Sequence, residues 1–209
     1  MSDKPIACHP HKRRDTRQLW FPSGKQAEFY VRGAVAWPVA ADRGFAVVAG
    51  VECESGVCHI FQQHPFSTIP HVTHPDTQRI VSRGFGPWAG EMATAYGIER
   101  WHERHPDDTH RLWLLQLLRW QPKAPKPVFV HVAWDSIEDA LATMWQWFNA
   151  GLIVIDKSSP IEGAMQRLHG SPGAVVDPDP VLRALLTLLT GLTLYPWRRR
   201  TIERDIFAA

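Results

Sequence analysis

Cysteine is scarce in this 209-residue chain: Cys8, Cys53 and Cys58 are the only three, too few for a disulfide framework. Long apolar runs are missing as well. The most apolar stretch, Val181 to Tyr195, contains Arg183 and falls short of the ~20 residues a bilayer-crossing helix requires, so it reads as a buried or interface helix and no membrane partner is expected. The opening MSDKPIACHPHKRR has no apolar core of the signal-peptide kind, and a reducing cytoplasm is the expected location. Neither sign of charge dominates. Lys and Arg number 23 against 21 Asp and Glu, and the resulting net charge of +2 permits a nucleic-acid partner without demanding one.

Several catalytic signatures are absent too. The chain has no Gly-x-x-x-x-Gly-Lys-Ser/Thr phosphate loop and no Gly-x-Ser-x-Gly nucleophile elbow. HERH at His102 to His105 fails as a metalloprotease motif because the second histidine arrives one residue early and loses the helical register. His71 and His74, and His102 and His105, are each three apart, yet no Cys pair with a distant companion pair accompanies them, as a structural zinc site requires.

What is present is ample core material, 44% apolar residues with ten Trp. Phe45 to Phe61, FAVVAGVECESGVCHIF, reads as two strands around a Ser55-Gly56 turn. A two-residue turn sets Cys53 opposite Cys58 and puts Val47, Ala49, Val51, Cys53, Cys58 and Ile60 on a core face. The other face then pairs Glu52 with His59, as a site or as a solvated surface. A preceding strand is expected over Glu28 to Val39, ended by Pro38. Residues 1–27 have no period and read as an N-terminal arm. HKRR at His11 to Arg14 is either a phosphate contact or a solvated terminus.

After a long loop, Ser67 to Pro87, helical spacing predicts a helix from Trp88 to His105, stopped by Pro106, and a second from Asp108 to Trp120. VFVHVAW at Val128 to Trp134 and LIVID at Leu152 to Asp156 read as strands. Helices follow them: one ending at Gly151, one capped by Ser159 with Glu162 completing a capping box, and one opened by Asp179 and Pro180. Residues 28–195 form the expected domain, and 196–209, beginning WRRR at Trp197, a basic tail suited to a nucleic-acid backbone or to packing on a partner. The fold class is α/β, with three antiparallel strands followed by alternating helices and parallel strands.

That order, with RGAVAWPVAADRGFAVVAGVE at its front, VFVHVAWD later and DPDPVLRALLTLL before the end, resembles the ribonuclease H-like nuclease module of phage terminase large subunits. Gly33, Trp37 and Asp42 match the layout of a Gly-x-Asp-Trp-Ala first strand and the loop after it. The resemblance implies a DNA substrate, Mg²⁺ or Mn²⁺ as cofactor, and acidic ligands at Asp135, Asp177 and Asp179. It also marks a departure: Val35-Ala36 stands where the metal-bridging aspartate belongs, and two-metal chemistry needs converging carboxylates. Asp42 or Glu52 is the residue left to stand in. Each acid has a structural alternative. Asp135, with Glu138, reads as a helix cap, as does Asp179, while Asp177 can bind loop backbone. Asp156 ends a strand where ligands sit in open α/β sheets, and is otherwise a turn residue. A Mg²⁺-dependent endonuclease and a non-catalytic assembly module, binding a protein partner or a second copy, are the two functions expected.

Overall fold

The computed structural model describes residues 4–10, 16–38, 43–66, 71–73, 80–104, 128–170 and 179–194. Among them, ten strands and four helices follow in order: β1 Ala7–Pro10, β2 Arg17–Trp20, β3 Gln26–Ala36, β4 Gly44–Glu52, β5 Cys58–Phe66, β6 His71–Thr73, β7 Ile80–Arg83, α1 Phe85–Tyr96, β8 Arg100–Glu103, β9 Val128–His131, α2 Ile137–Asn149, β10 Ile153–Val154, α3 Pro160–Gly170 and α4 Pro180–Leu194. The protein is mixed α/β. Eight strands form one sheet, in the order β1-β2-β3-β4-β5-β10, with β8 added to β3 and β9 to β8, while β6 and β7 pair separately.

β3 is long enough to hold two partners along one edge. Gln26 to Phe29 pair antiparallel with β2, and Gly33 to Val35 pair parallel with β8. Its other edge carries β4 over Phe29 to Ala36. The sheet is mostly antiparallel; its parallel pairings are β3 with β8, β8 with β9, and β5 with β10.

Both faces are covered. Tyr30, Ala34, Val47, Ala49, Val51 and Ile60 pack under α4, together with α2 and α3. Phe29, Val31, Val35, Val48, Phe61 and Trp101 pack under α1. The α4 leucines Leu185, Leu186, Leu188 and Leu189 are at most 1% exposed, each contributing roughly 1.5–3 kcal/mol relative to exposure. The apolar run is therefore a core helix over Pro180–Leu194. No helix among the described residues is long and apolar enough to cross a membrane.

Two glycines set how closely the layers approach. A Cβ on Gly33 would lie 2.2 Å from the Trp101 indole, and one on Gly191 would lie 2.0 Å from Nδ1 of His102. The first lets Trp101 lie across β3, and the second lets α4 settle onto β8.

Several elements differ from the sequence reading. The segment taken as an arm supplies β1 and β2, which extend the sheet beyond β3. The hairpin turn is wider than two residues: Val51, not Cys53, pairs with Cys58, and the Glu52 N–H donates to the Val57 carbonyl. Gly56, at φ +75°, and the Ser55 hydroxyl, which bonds both the Glu52 carboxylate and the Val57 N–H, hold the longer loop. The face carrying Glu52 and His59 is solvated only near the turn, since Val48 and Phe61 bury its far end. The helix expected through His105 stops at Tyr96, because Gly97 turns left-handed at φ +64°, and β8 follows. The helix from Asp108 and the HKRR and WRRR clusters lie outside the described residues.

His102, 1% exposed, donates to the Leu188 carbonyl, and burial, reinforced by Arg32, lowers its pKa to about 4 from an ordinary 6.5. The unfolded chain therefore binds a proton that the folded chain refuses. Stability is full above pH 6.5 and is lost as pH falls from there toward 4, by up to about 3 kcal/mol. Urea midpoints measured across that window will fall steeply in the unchanged protein, and the slope will flatten in His102→Gln.

Candidate functional site

β3, β8 and β9 run parallel, so their carboxyl ends lie on one side of the sheet, where open α/β sheets place ligands. β3 delivers Ala36 and Trp37 there, β8 delivers Glu103 and Arg104, and the segment after β9 delivers Trp134 and Asp135. Glu103 pairs in register with Val35 on one neighbour and His131 on the other, and is fully buried. Its Oε2 accepts a hydrogen bond from the Trp37 indole N–H at 2.8 Å. Trp37 is in turn set edge-on against Phe85 at 5.0 Å and against Phe66 at 5.9 Å. The Arg104 guanidinium lies 4.2 Å over the Trp134 ring. The buried carboxylate is thus committed to holding an aromatic wall, and the cation beside it to a stacked ring.

The acids singled out in the sequence are distributed across the molecule. Asp135 is exposed in the bend before α2. It does not cap that helix: Ser136 does, its hydroxyl accepting from the Asp139 N–H at 3.1 Å and donating to the Asp139 carboxylate at 2.8 Å. The capping pair expected at Asp135 and Glu138 thus falls one residue later, because serine at 136 already supplies the acceptor.

Asp179 does cap its helix, with Oδ1 accepting from the Leu182 N–H at 2.9 Å. Its Oδ2 meets Arg167 at 2.6 Å in an exposed pair that contributes little. Ser159 likewise caps α3 through the Glu162 N–H. Glu162 completes that cap with a variation, its carboxylate accepting from the Ser158 N–H.

Glu52 ends β4 opposite Phe29. One oxygen meets the Lys25 ammonium at 2.9 Å and the other accepts from the Ser55 hydroxyl at 2.6 Å. Burial acts to raise the Glu52 carboxyl, but Ser55 and Lys25 outweigh it and hold the group below the ordinary carboxylate range. Asp156 follows β10 at an exposed turn. Asp42 and Asp177 lie outside the described residues.

Among the described residues, no three His, Cys, Asp or Glu side chains are grouped to hold a metal ion. The described residues therefore do not fit a two-metal centre, which requires several carboxylates converging on the ions. What the strand ends present is one engaged carboxylate between aromatic rings, with a cation alongside.

Glu103 escapes the sequence reading because helical spacing runs through it. The available signal is Gly97, a helix stop, followed by a strand-length segment before Pro106. The strand that follows the opening trio and α1 is consequently β8, and the carboxylate at its end is Glu103.

A double-mutant cycle will measure the bond. Trp37→Phe and Glu103→Gln will each destabilise the fold, with a coupling energy of about 1–3 kcal/mol in urea titrations. Asp135→Asn will change stability by less than about 0.5 kcal/mol. No protein-family model matches the sequence, and no curated protein matches it either.

Proposed function

We propose that the chain is a ribonuclease H-like domain that handles DNA by binding rather than by cutting, with its acidic site incomplete. The observation that carries the reading is the pairing of Val35 with Glu103. Three consecutive antiparallel strands, β3 to β5, are extended along the carboxyl half of the other edge of β3 by parallel β8 and β9, which supports the antiparallel-then-parallel order the resemblance implies. At the strand ends, where converging carboxylates would be needed, Val35 and Ala36 occupy β3, and the Glu103 carboxylate receives the Trp37 indole. Arg104 at this side supplies positive charge, and duplex DNA is bound mainly through its phosphates. The phage or mobile-element ancestry belongs to the same proposal.

A second reading, an assembly module on the same fold, rests on α2. Ile137, Leu141, Trp145 and Phe148 recur at helical spacing and are only partly buried against the core. Such a stripe suits a protein partner or a second copy of the chain.

Anisotropy of labelled duplex DNA, read over increasing salt, together with plasmid nicking in Mn²⁺, separates these. The DNA-binding reading expects affinity that falls as salt rises and no nicking above buffer. Nicking that disappears in Asp135→Asn overturns the non-catalytic reading. Absence of salt-sensitive binding, with a dimer in sedimentation that Trp145→Lys disperses, establishes the assembly reading in its place.

A further inference from the structure

On one face of the sheet, the residues of β1 and β2 lie beyond the core that α4 covers. Opposed residues of antiparallel strands point to the same face, and the registers here give two rows: Ala7, Trp20 and Gln26 in one, His9, Gln18 and Glu28 in the next. The alternate residues Cys8, Leu19 and Ala27 point the other way and pack into the core under α1. On β3, the core under α4 begins at Tyr30, two residues past Glu28. His9 and Gln26 are exposed, and Trp20, Gln18 and Glu28 are only half-buried.

Trp20 is the centre of this face. Among the described residues it packs into neither hydrophobic core. Its indole meets the His9 imidazole edge-on, with centroids 4.9 Å apart and planes at 87°, so the two rings make a step across β1 and β2. Its direct neighbours across the strands are the methyl group of Ala7 and the flexible side chain of Gln26.

The composition of the face selects a partner. A protein interface is built around a desolvated apolar centre, and here the aliphatic contribution is Ala7 alone. The two amides each carry a donor and an acceptor, and the Glu28 carboxylate accepts from the Thr16 hydroxyl at 2.6 Å. The rows are about 7 Å apart, which leaves room for more than one flat group. Charge points the same way. The residues joining the paired Pro10 and Arg17 include His11, Lys12, Arg13 and Arg14 against the single acid Asp15, and such a segment complements a phosphate backbone. Rings on a sheet face with amides beside them are how proteins stack unpaired bases, whereas a duplex keeps its bases turned inward.

We propose that the open face of β1, β2 and β3 binds single-stranded DNA, with one base stacked on Trp20, its neighbour against His9, and Gln18 and Gln26 bonding the base edges. The choice of DNA rests on the proposed function. The face itself is separate from the strand ends, where duplex DNA is expected to bind.

The test is fluorescence anisotropy of a short labelled oligothymidine with the full chain, with unlabelled duplex as competitor. Trp20→Ala will weaken the single strand about tenfold, and Trp20→Phe, which keeps a ring, by no more than about threefold. Duplex affinity will be the same in all three proteins, and urea titration will show each of them folded. Photocrosslinking of a bromodeoxyuridine strand will label the peptide that contains Trp20. Single-strand binding that is lost in Trp20→Ala, in a chain with no affinity for duplex, upholds this face and overturns the strand-end reading alone. Undiminished single-strand binding by folded Trp20→Ala, full displacement of the strand by duplex, or a tenfold preference for RNA of the same sequence overturns the proposal.

Discussion

Strand β3 has no free side. It is paired along both edges, and every residue from Phe29 to Ala36 is buried between α1 on one face and α4 on the other. A strand in that position cannot follow the alternation of a half-exposed sheet, and its composition reflects the constraint: Gly33 and Ala34 leave room where Trp101 and His102 press against it from β8. Arg32 is the exception. The residue is 5% exposed, and its guanidinium stacks 3.7 Å over the Tyr30 ring and donates to the Val31 carbonyl. The cost of burying that charge is offset by a ring face and a backbone acceptor.

The same central position governs the strand ends. A metal centre would need acidic side chains at the end of β3, and the chain places Val35 and Ala36 there, each committed to a core. Glu103, the acid that β8 does bring to this point, anchors Trp37, and Trp37 seats Phe66 and Phe85. A buried carboxylate that holds an indole confers definition on a packed aromatic cluster, because leaving either group without its partner is costly. In the proposed reading, an ancestral catalytic edge has become part of the aromatic core, leaving binding as its remaining role.

Several local signals were legible in the sequence. Ser159 and Asp179 cap their helices as their sequence context implies, Gly151 follows α2 in the left-handed region, and the β4 and β5 strands sit near their expected places. Elements decided by distant partners were not legible. β1 and β2 are short and mixed in composition, and become strands because the amino-terminal part of β3 offers an open edge. β8 carries residues at helical spacing, and parallel pairing on both of its sides overrides that pattern. The register of the β4–β5 hairpin turned on Ser55 bonding Glu52, a side-chain contact that favours the wider loop. β8 also changes the count of strands, so the strand before Asp135 is not the first to follow the opening trio.

The central claim of the proposed reading is that the described acids serve as caps, anchors and surface groups rather than as ligands of a shared metal ion. Calorimetric titration of Mn²⁺ into the metal-stripped protein addresses it most directly, repeated with Asp135→Asn, Asp177→Asn and Glu103→Gln. The account predicts no saturable heat in the unchanged protein. Saturable binding abolished by any of these three substitutions, in a variant that remains folded, would contradict it.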